Sequence, residues 1–460
     1  MAALFTLIKA IPVLATCVIA ANYPPIPVDK TTPVQQRIAI SGANAISIGW
    51  NTYEHLAKPC VQYGSSSAAL TLEACSSSSV TYATSRTYSN AVTLPGLAPA
   101  TTYYYKIVST NSSVEHFFSP RTTGDKTAFT MSVVIDLGVY RADGFTIEMD
   151  QTKRDTIPSI EPSLNHTTIG RLADNIDDYE LVVHPGDFAY ADDWYLKPHN
   201  LLDEVDAYEA ILEQFYDQLA PIAGRKAYMA SPGNHEADCE EIDYTTGLCP
   251  TGQKNFTELH ESIWSNHAYC LLVYVGEYHR YGQRQQSSDA REASVLWALR
   301  CPNQQLEFLE ADLASVDRTV TPWLIVGGHR PWYSTGGSGN ICSSCQDAFE
   351  PLLYKYGVDL AVFGHVHNSQ RFVPVNDSIA DPAGMNDPQA PMYIVAGGAG
   401  NIEGLSSVGS NVSYNAFAYA DDFSYATVTF KDENNLQVDF IRSSTGAVLD
   451  SSVLYKAHTQ

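Results

Sequence analysis

Basic residues are scarce in this chain of 460 residues. It has 27 Lys and Arg against 51 Asp and Glu, which gives a formal net charge of −24 at pH 7. Such an acidic surface repels the backbone of nucleic acids and the headgroups of anionic membranes, so neither is expected as a partner. It also repels anionic substrates. A site that handles phosphate would therefore need strong local positive charge, which bound metal ions can supply.

Long apolar runs are missing outside the first residues. Residues 1–21 hold an apolar stretch that contains one cation, Lys9, and ends in the small residues Ala20 and Ala21. We interpret this stretch as a secretory signal peptide. The alternative is a membrane anchor, but the unbroken apolar run is shorter than a membrane span. No later segment has the pattern of a span, so we expect a secreted protein, either extracellular or in a cell wall.

Cysteines are few, at nine, and Cys17 would leave with the signal peptide. The remaining eight are an even number, which indicates disulfides in a secreted chain. Proximity along the sequence suggests the pairs Cys60–Cys75, Cys239–Cys249 and Cys342–Cys345, with Cys270–Cys301 left over. The alternative for the third pair is a redox motif or half of a zinc site, because its spacing is CxxC. The chain has no second CxxC to complete a zinc site.

Five Asn-x-Ser/Thr sequons without an intervening proline add to the signs of export. They begin at Asn111, Asn165, Asn255, Asn376 and Asn411. N-glycans are attached to such sequons at the surface of secreted proteins. We therefore expect a glycoprotein that carries sugar at some or all of these positions.

Residues 22–123 have the pattern of a β-sandwich. They are rich in Ser, Thr, Ala and Pro, and residues 36–50, 80–92 and 101–108 contain short strand-like runs without a helical period. Short strands separated by turn residues are typical of this architecture. The segment 94–107 resembles the end of a fibronectin type III-like domain, in which a tyrosine often ties a loop to the sandwich. Nothing here looks catalytic, so a packing or spacer role is expected.

Residues 127–460 alternate apolar runs with helical patterns, which predicts an α/β domain. The predicted buried strands are 129–135, 180–184, 226–230, 323–327 and 360–364. Apolar residues at helical spacing predict helices over 204–219 and 304–316, and a third over 349–356 that ends at Gly357. The chain shows no internal repeat and no low-complexity segment.

Residue types that bind metals follow each of these five strands at the point where it ends. They are Asp136, then Asp187 and Tyr190, then Asn234 and His235, then His329, and finally His365 and His367. Because ligands bind outside the carboxyl ends of the strands in open α/β sheets, these side chains are predicted to meet at one rim. Each residue alone has an ordinary explanation as a turn, cap or surface residue. Together and in this order, each at the end of a strand, they indicate a functional metal-binding site.

These blocks resemble the purple acid phosphatases of the metallophosphoesterase superfamily, whose pattern is DxG, GDxxY, GNH[ED], VxxH and GHxH. The chain reads DLG, GDFAY, GNHE, VGGH and GHVH at 136–138, 186–190, 233–236, 326–329 and 364–367. The resemblance spans 127–455, and the fibronectin-like region matches the larger fungal and plant members. It implies an α/β (α+β) fold, with an N-terminal β-sandwich followed by a βαβαβ sandwich of two mixed sheets flanked by helices.

The resemblance also implies two adjacent metal sites. Ferric iron would be bound by Asp136, Tyr190 and His367, a divalent ion (iron, zinc or manganese) by Asn234, His329 and His365, and both ions by the bridging Asp187. The donor types agree with this division. Carboxylate and phenolate oxygens are hard donors, whereas two imidazoles and an amide oxygen suit a borderline divalent metal.

The implied function is that of a secreted acid phosphatase acting on small phosphate monoesters, in which a metal-bound hydroxide attacks phosphorus. His235 matches the family position that faces the substrate, so it is the candidate general acid. Asn234 and Arg330 are expected to help bind the substrate. An outward surface position for Arg330 is the alternative, because it is assigned only from its place after a metal ligand.

Residues 261–302 depart from the family pattern, which has an aromatic-rich strand in this region. An error in the gene model and genuine divergence both explain the departure, and in either case a core strand is expected to be missing. Two alternatives to the main interpretation therefore stay open. One is a phosphodiesterase or nucleotidase on the same fold, and the other is a secreted binding protein whose catalytic activity is impaired.

Overall fold

A computed structural model describes residues 23–139, 167–191, 204–236, 272–275, 304–336 and 341–458, apart from residues 83 and 123. The predicted signal peptide, two sequons (Asn165 and Asn255) and four cysteines (239, 249, 270 and 301) lie outside these residues. Two of the predicted disulfides are confirmed, Cys60–Cys75 and Cys342–Cys345. In the part of the chain that the structure describes, no helix is long and apolar enough to cross a membrane.

Eight strands form the N-terminal β-sandwich. They are β1 (Val34–Ile40), β2 (Ile46–Thr52), β3 (Cys60–Gly64), β4 (Leu72–Cys75), β5 (Ser79–Val80), β6 (Tyr88–Leu94), β7 (Thr102–Ile107) and β8 (Glu115–Phe118). One layer has the order β1-β2-β6-β5 and the other β4-β3-β7-β8. The hydroxyl of Tyr103 accepts the backbone N–H of Ala98 at 3.0 Å. This bond ties the preceding loop to the sandwich, as the resemblance of 94–107 predicted.

The rest of the chain alternates strands and helices. The strands are β9 (Phe129–Val133), β10 (Leu181–Pro185), β11 (Ala227–Ser231), β12 (Leu272–Val275), β13 (Leu324–Gly327), β14 (Leu360–Phe363), β15 (Ser369–Phe372), β16 (Val375–Asn376), β17 (Ile379–Ala380), β18 (Met392–Ala396), β19 (Asn415–Tyr419), β20 (Ser424–Phe430), β21 (Asn435–Arg442) and β22 (Val448–Tyr455). The helices are α1 (Thr167–Asp174), α2 (Glu204–Ala223), α3 (Gln304–Ala314) and α4 (Ser343–Lys355), with a 3-10 turn at Ile176–Asp178. All five predicted ligand-bearing strands are present, within two residues of their predicted bounds.

Helix α4 begins six residues before its predicted start at Phe349. Cys342 caps its N-terminus, because its sulfur accepts the backbone N–H of Cys345 at 3.3 Å. The cap and the disulfide between the same two residues start the helix before its apolar face begins. The prediction used the spacing of apolar residues, which depends on neither the cap nor the disulfide.

Two large sheets pack face to face and are flanked by helices. The ten-stranded sheet has the order β22-β21-β20-β9-β10-β11-β1-β2-β6-β5, and the six-stranded sheet has the order β12-β13-β14-β18-β15-β19. Alternate residues of a strand face opposite layers. In β10, Leu181 and Val183 belong to the core between the sheets, whereas Val182 packs with α1 and α2. The predicted fold class is therefore confirmed.

Residues 261–302 do contribute a strand. The backbone of β12, Leu272–Val275, pairs antiparallel with β13 at the edge of the six-stranded sheet. The expectation that this stretch lacks a core strand is therefore wrong for these four residues. Strand β14, which precedes His365 and His367, pairs with β13 on one side and with β18 on the other, so it is an interior strand of this sheet.

The N-terminal sandwich shares a sheet with the rest of the chain. Strand β1 pairs in parallel with β11, with Ile38 opposite Ala227. Arg86, which lies before β6, donates two hydrogen bonds of 2.9 and 2.6 Å to the carboxylate of Glu213 on α2. Because α2 and β11 precede the GNHE block, the sandwich packs directly on the elements that position that block.

Candidate metal centre

The seven predicted metal ligands lie together at the carboxyl ends of parallel strands. Asp136 follows β9, Asp187 and Tyr190 follow β10, Asn234 follows β11, His329 follows β13, and His365 and His367 follow β14. Strands β9, β10 and β11 belong to one sheet, and β13 and β14 belong to the other. The two sheets end side by side, so residues distant in the sequence share one buried cluster.

One half of the cluster surrounds the imidazole of His329. Ligand atoms of Asp187, His329 and His365 all lie within 4.8 Å of one another. The Nε2 atom of His329 is 2.8 Å from Asp187 Oδ2 and 3.0 Å from Asn234 Oδ1. A divalent ion with bonds of about 2.1 Å fits among donor atoms this close together.

The other half surrounds the phenol oxygen of Tyr190. This oxygen is 3.0 Å from Asp136 Oδ1 and 2.9 Å from His367 Nε2. It is also 3.3 Å from Asp187 Oδ2, the same oxygen that faces His329. One carboxylate atom of Asp187 therefore lies between the two halves of the cluster, in the position that a bridging ligand requires.

The hydrogen bonds of two histidines leave the correct nitrogen free for a metal. His329 Nδ1 lies 3.1 Å from the carbonyl oxygen of Pro185, and His367 Nδ1 lies 3.2 Å from that of Gly404. Because a carbonyl only accepts, each Nδ1 carries a proton, and Nε2 is the nitrogen that faces the cluster and that a metal would bind. Burial also lowers the pKa of His367 to about 4, so its ring is neutral in mild acid.

Two carboxylates are wholly buried in the cluster. Burial and the charge of Asp187 raise the pKa of Asp136 well above its usual value. Burial also acts to raise the pKa of Asp187, but His329 and His235 hold it well below its usual value. Two buried carboxylates side by side are costly unless cations compensate them. The donor set and its charge therefore fit a pair of metal ions.

Four of the predicted ligands have a backbone conformation that is rare for residues with a side chain. Their φ angles are 59° at Asp136, 54° at Asp187, 54° at Tyr190 and 65° at His365. Each such residue costs roughly 1–3 kcal/mol and persists only where its surroundings hold it. Glycines allow the close packing around them. A Cβ on Gly233 would collide with the carboxylate of Asp187.

Glu236 supports the ligand loops, a role that the sequence did not predict. Its carboxylate accepts the backbone N–H groups of Asp187 at 2.9 Å, Phe188 at 2.7 Å and Gly233 at 2.9 Å. It therefore joins the GDFAY block to the GNHE block. Asn401 acts similarly on another ligand, because its Nδ2 donates to the carbonyl oxygen of Asp136 at 3.2 Å.

Of the three predicted substrate-side residues, Asn234 is also a predicted ligand, and His235 borders the cluster. The ring centroid of His235 is 4.1 Å from that of Tyr190, and its Nε2 is 4.0 Å from Asp187 Oδ2. Arg330 is half-buried, and its charge contributes, after burial and His329, to lowering the pKa of His365 to about 2.

Comparisons with known proteins agree with this geometry. The family model described as "Purple acid Phosphatase, N-terminal domain" matches residues 33–122. The model "Calcineurin-like phosphoesterase" matches 164–369, and "Iron/zinc purple acid phosphatase-like protein C" matches 390–451. These models describe the N-terminal, central and C-terminal parts of one family architecture.

Individual relatives match along most of the chain. Acid phosphatase A of Cryphonectria parasitica is 61% identical over 99% of this chain and 98% of that protein. A nucleotide pyrophosphatase/phosphodiesterase of Hordeum vulgare is 27% identical over 74% of this chain and 86% of its own. The solved structure of purple acid phosphatase PPD1 from yellow lupin seeds has a TM-score of 0.68 and 24% identity, over 93% of this chain and 75% of that one, which shows a shared fold. The chain belongs to the purple acid phosphatase family, whose members depend on a binuclear metal centre.

Proposed function

We propose that this protein is an acid phosphatase that hydrolyses phosphate monoesters at a binuclear metal centre. The observation that carries the proposal is the position of Asp187 Oδ2, 2.8 Å from His329 Nε2 and 3.3 Å from the phenol oxygen of Tyr190. A single carboxylate atom between two sets of buried donors is what a pair of ions needs as a bridge. Membership of the family supports the same activity.

The donor types support a division between two ions. We assign ferric iron to Asp136, Tyr190 and His367, a divalent ion (iron, zinc or manganese) to Asn234, His329 and His365, and the bridge to Asp187. Hard oxygen donors dominate the first set, and imidazoles dominate the second. When bound, the two ions neutralise the charge of the phosphate and lower the pKa of water, so that a nucleophile is available in acid.

The side chains at the border of the cluster would handle the substrate. His235 lies beside the cluster and is not one of the seven residues assigned to the two donor sets, so we assign it the protonation of the leaving oxygen. The guanidinium of Arg330 suits a phosphate oxygen, because it combines a fixed positive charge with several N–H donors. The side-chain amide of Asn234 would also contact the substrate.

The remaining assignments concern the whole chain. We propose a signal peptide at 1–21, a fibronectin type III-like sandwich at 22–123 and a catalytic domain at 127–460, in a secreted glycoprotein. The Cys60–Cys75 disulfide supports an oxidising compartment. Among the sequons that the structure describes, Asn111 and Asn411 are exposed, and Asn376 is half-buried.

Purified protein tests this function. Iron, zinc and manganese are measured by mass spectrometry, and hydrolysis of nitrophenyl phosphate is compared with that of bis-nitrophenyl phosphate at acid pH. We expect two ions per chain and a kcat/KM that favours the monoester. A preference for the diester would establish the phosphodiesterase alternative, and full metal content without turnover would establish an impaired enzyme. His329→Ala should lose metal and activity, whereas His55→Ala, at an exposed position, should lose neither.

A further inference from the structure

A buried histidine and tyrosine lie directly behind the bridging ligand. His184 and Tyr228 come from the neighbouring strands β10 and β11, and neither is among the metal ligands. The Nδ1 atom of His184 is 2.7 Å from the hydroxyl of Tyr228, and its Nε2 is 3.2 Å from the carbonyl oxygen of Asp187. His184 is wholly buried, so water does not compete for these bonds.

The chemistry of the three groups fixes the direction of both hydrogen bonds. The carbonyl oxygen of Asp187 only accepts, so Nε2 of His184 carries a proton and donates it. In a neutral imidazole the other nitrogen then has no proton, so Nδ1 accepts from the hydroxyl of Tyr228. The result is a chain of two bonds, Tyr228 O–H to His184 and His184 N–H to Asp187, in which every buried donor has an acceptor.

The bonds end on a peptide group that needs support. Asp187 has a φ of 54°, in the left-handed region, and its carbonyl oxygen also accepts the N–H of Leu137 at 3.2 Å. Its own N–H donates to Glu236 at 2.9 Å. The backbone N–H and the backbone carbonyl of Asp187 are therefore both held by hydrogen bonds. Its carboxylate is the group that faces the two halves of the cluster.

We propose that His184 and Tyr228 are a positioning pair that fixes the carbonyl of Asp187 and so holds its carboxylate between the two metal sites. The proposal rests on the proposed binuclear centre, because that is where the carboxylate acts. The two hydrogen bonds of the pair end on the carbonyl oxygen of Asp187 and not on its carboxylate. Groups that orient metal ligands in this way typically change metal affinity by about 10- to 100-fold when they are removed.

Competition with a chelator measures this effect. Wild type, Tyr228→Phe, His184→Leu and the double variant are titrated with a chelator, and retained metal and the visible absorption band are recorded. We expect each single variant to release metal at a chelator concentration about 10- to 100-fold lower than wild type. The double variant should be no worse than the worse single variant, because both changes break one chain of bonds. His184→Gln, whose amide can still donate, should recover part of the loss.

A matched control separates positioning from general destabilisation. Tyr179 is another buried tyrosine of the same apolar cluster, and its hydroxyl donates to the carbonyl oxygen of Leu172 at 2.9 Å, away from the ligand loops. Tyr179→Phe should lower the Tm of the metal-free protein without moving the chelator midpoint. The proposal is overturned if the His184 and Tyr228 variants behave in the same way, with a lower Tm and an unchanged midpoint.

A measurement on metal-free protein keeps this test separate from the proposed function. Wild type that binds no metal at all would refute the binuclear centre. The ¹⁵N shifts of the His184 ring, followed in protein labelled at histidine, report its tautomer without any metal. We expect the proton on Nε2, and a ring protonated on Nδ1 alone would refute the pair whatever the protein binds.

Discussion

The carboxylates of Glu236 and Asp187 each accept a backbone N–H from the loop that carries the other. The carboxylate of Glu236 accepts the N–H of Asp187 at 2.9 Å, and the carboxylate of Asp187 accepts the N–H of His235, the neighbour of Glu236, at 2.9 Å. Each loop therefore holds the other in place. The carboxylate that we assign as the bridge is positioned by peptide groups from two different strand ends, which explains why both loops contain a glycine that allows close approach.

Glu236→Gln should destabilise the metal-free protein by about 1–3 kcal/mol. The amide has one acceptor oxygen, so at least one of the three backbone N–H groups now bonded to Glu236 loses its acceptor, and a buried unsatisfied donor costs about that much. Urea unfolding of the metal-free protein measures the loss. The exposed Glu54 provides the control, and equal stability of Glu236→Gln and Glu54→Gln would contradict the role of Glu236 as a link between loops.

Tyr190→Phe should remove the visible absorption band and leave the fold intact. The phenol oxygen lies within 3.0 Å of Asp136 Oδ1 and 2.9 Å of His367 Nε2, in the donor set that we assign to ferric iron. Phenolate bound to ferric iron would give the purple or pink colour of the family. The visible spectrum and the iron content are measured on the same sample. A colourless wild type with a full complement of iron would refute the assignment of Tyr190.

Asp187→Asn should lower the content of both metals more than any other single substitution among the seven ligands. Its Oδ2 atom is the one that faces both Tyr190 and His329, so the change removes negative charge from both sites together. Metal content per chain is measured after dialysis against buffer. Asn234→Asp, which adds charge to one site only, is the comparison. Metal near the wild-type level in Asp187→Asn would exclude a bridge.

Glu209→Gln should change how stability depends on pH. Glu209 lies on α2 at the junction with the sandwich, where its carboxylate accepts from the hydroxyls of Tyr82 and Thr84 at 2.8 and 2.5 Å. Burial, opposed by these two bonds and by Arg86, raises its pKa to about 7. The folded state therefore keeps the proton that the unfolded chain loses near pH 4.5, and stability falls as pH rises from there towards 7.

The expected size of this effect is up to about 3 kcal/mol between pH 4.5 and pH 7. Gln cannot ionise, so Glu209→Gln should become more stable relative to wild type as pH rises across this window. Urea unfolding at both pH values measures the difference in unfolding free energy between variant and wild type. Groups that titrate in the same way in both proteins cancel in this difference. A difference between variant and wild type that is the same at both pH values would show that Glu209 titrates normally.

The clustering of the seven candidate ligands at strand ends could be predicted from the sequence because each follows a buried strand. An apolar run that ends in Asp136 or His329 reports both the strand and the edge at which the ligand lies. The pairing of β1 with β11 could not be predicted, because it joins Ile38 to Ala227 through backbone groups. Hydrogen bonds between backbone groups leave no pattern in the side chains of the sequence. This pairing joins a strand of the sandwich to the strand that precedes Asn234.

The backbone contacts of the supporting residues escaped prediction for the same reason. Glu236 and His184 bond to peptide N–H and C=O groups of the Asp187 loop, and any residue type except proline at position 188 would supply the same N–H as Phe188 does. The sequence shows which side chain is polar but not which peptide group lies within its reach. Glu236 is the last residue of the GNHE block and His184 lies two residues before the GDFAY block, so position in or next to a motif is the signal that the sequence carries.

His235→Ala should keep both metals and the visible band while slowing turnover. The backbone N–H of residue 235 donates to Asp187 Oδ1 at 2.9 Å, and alanine retains this bond, so the bridging carboxylate should stay in place. Loss of a general acid typically reduces the rate by about 10²- to 10⁴-fold. The loss should be largest for alkyl phosphates, whose alkoxide leaves only with a proton, and smallest for nitrophenyl phosphate, whose phenolate leaves without one. Steady-state kcat for both substrates distinguishes the roles. An equal loss for both would mean that His235 positions phosphate, and loss of a metal would make it a ligand.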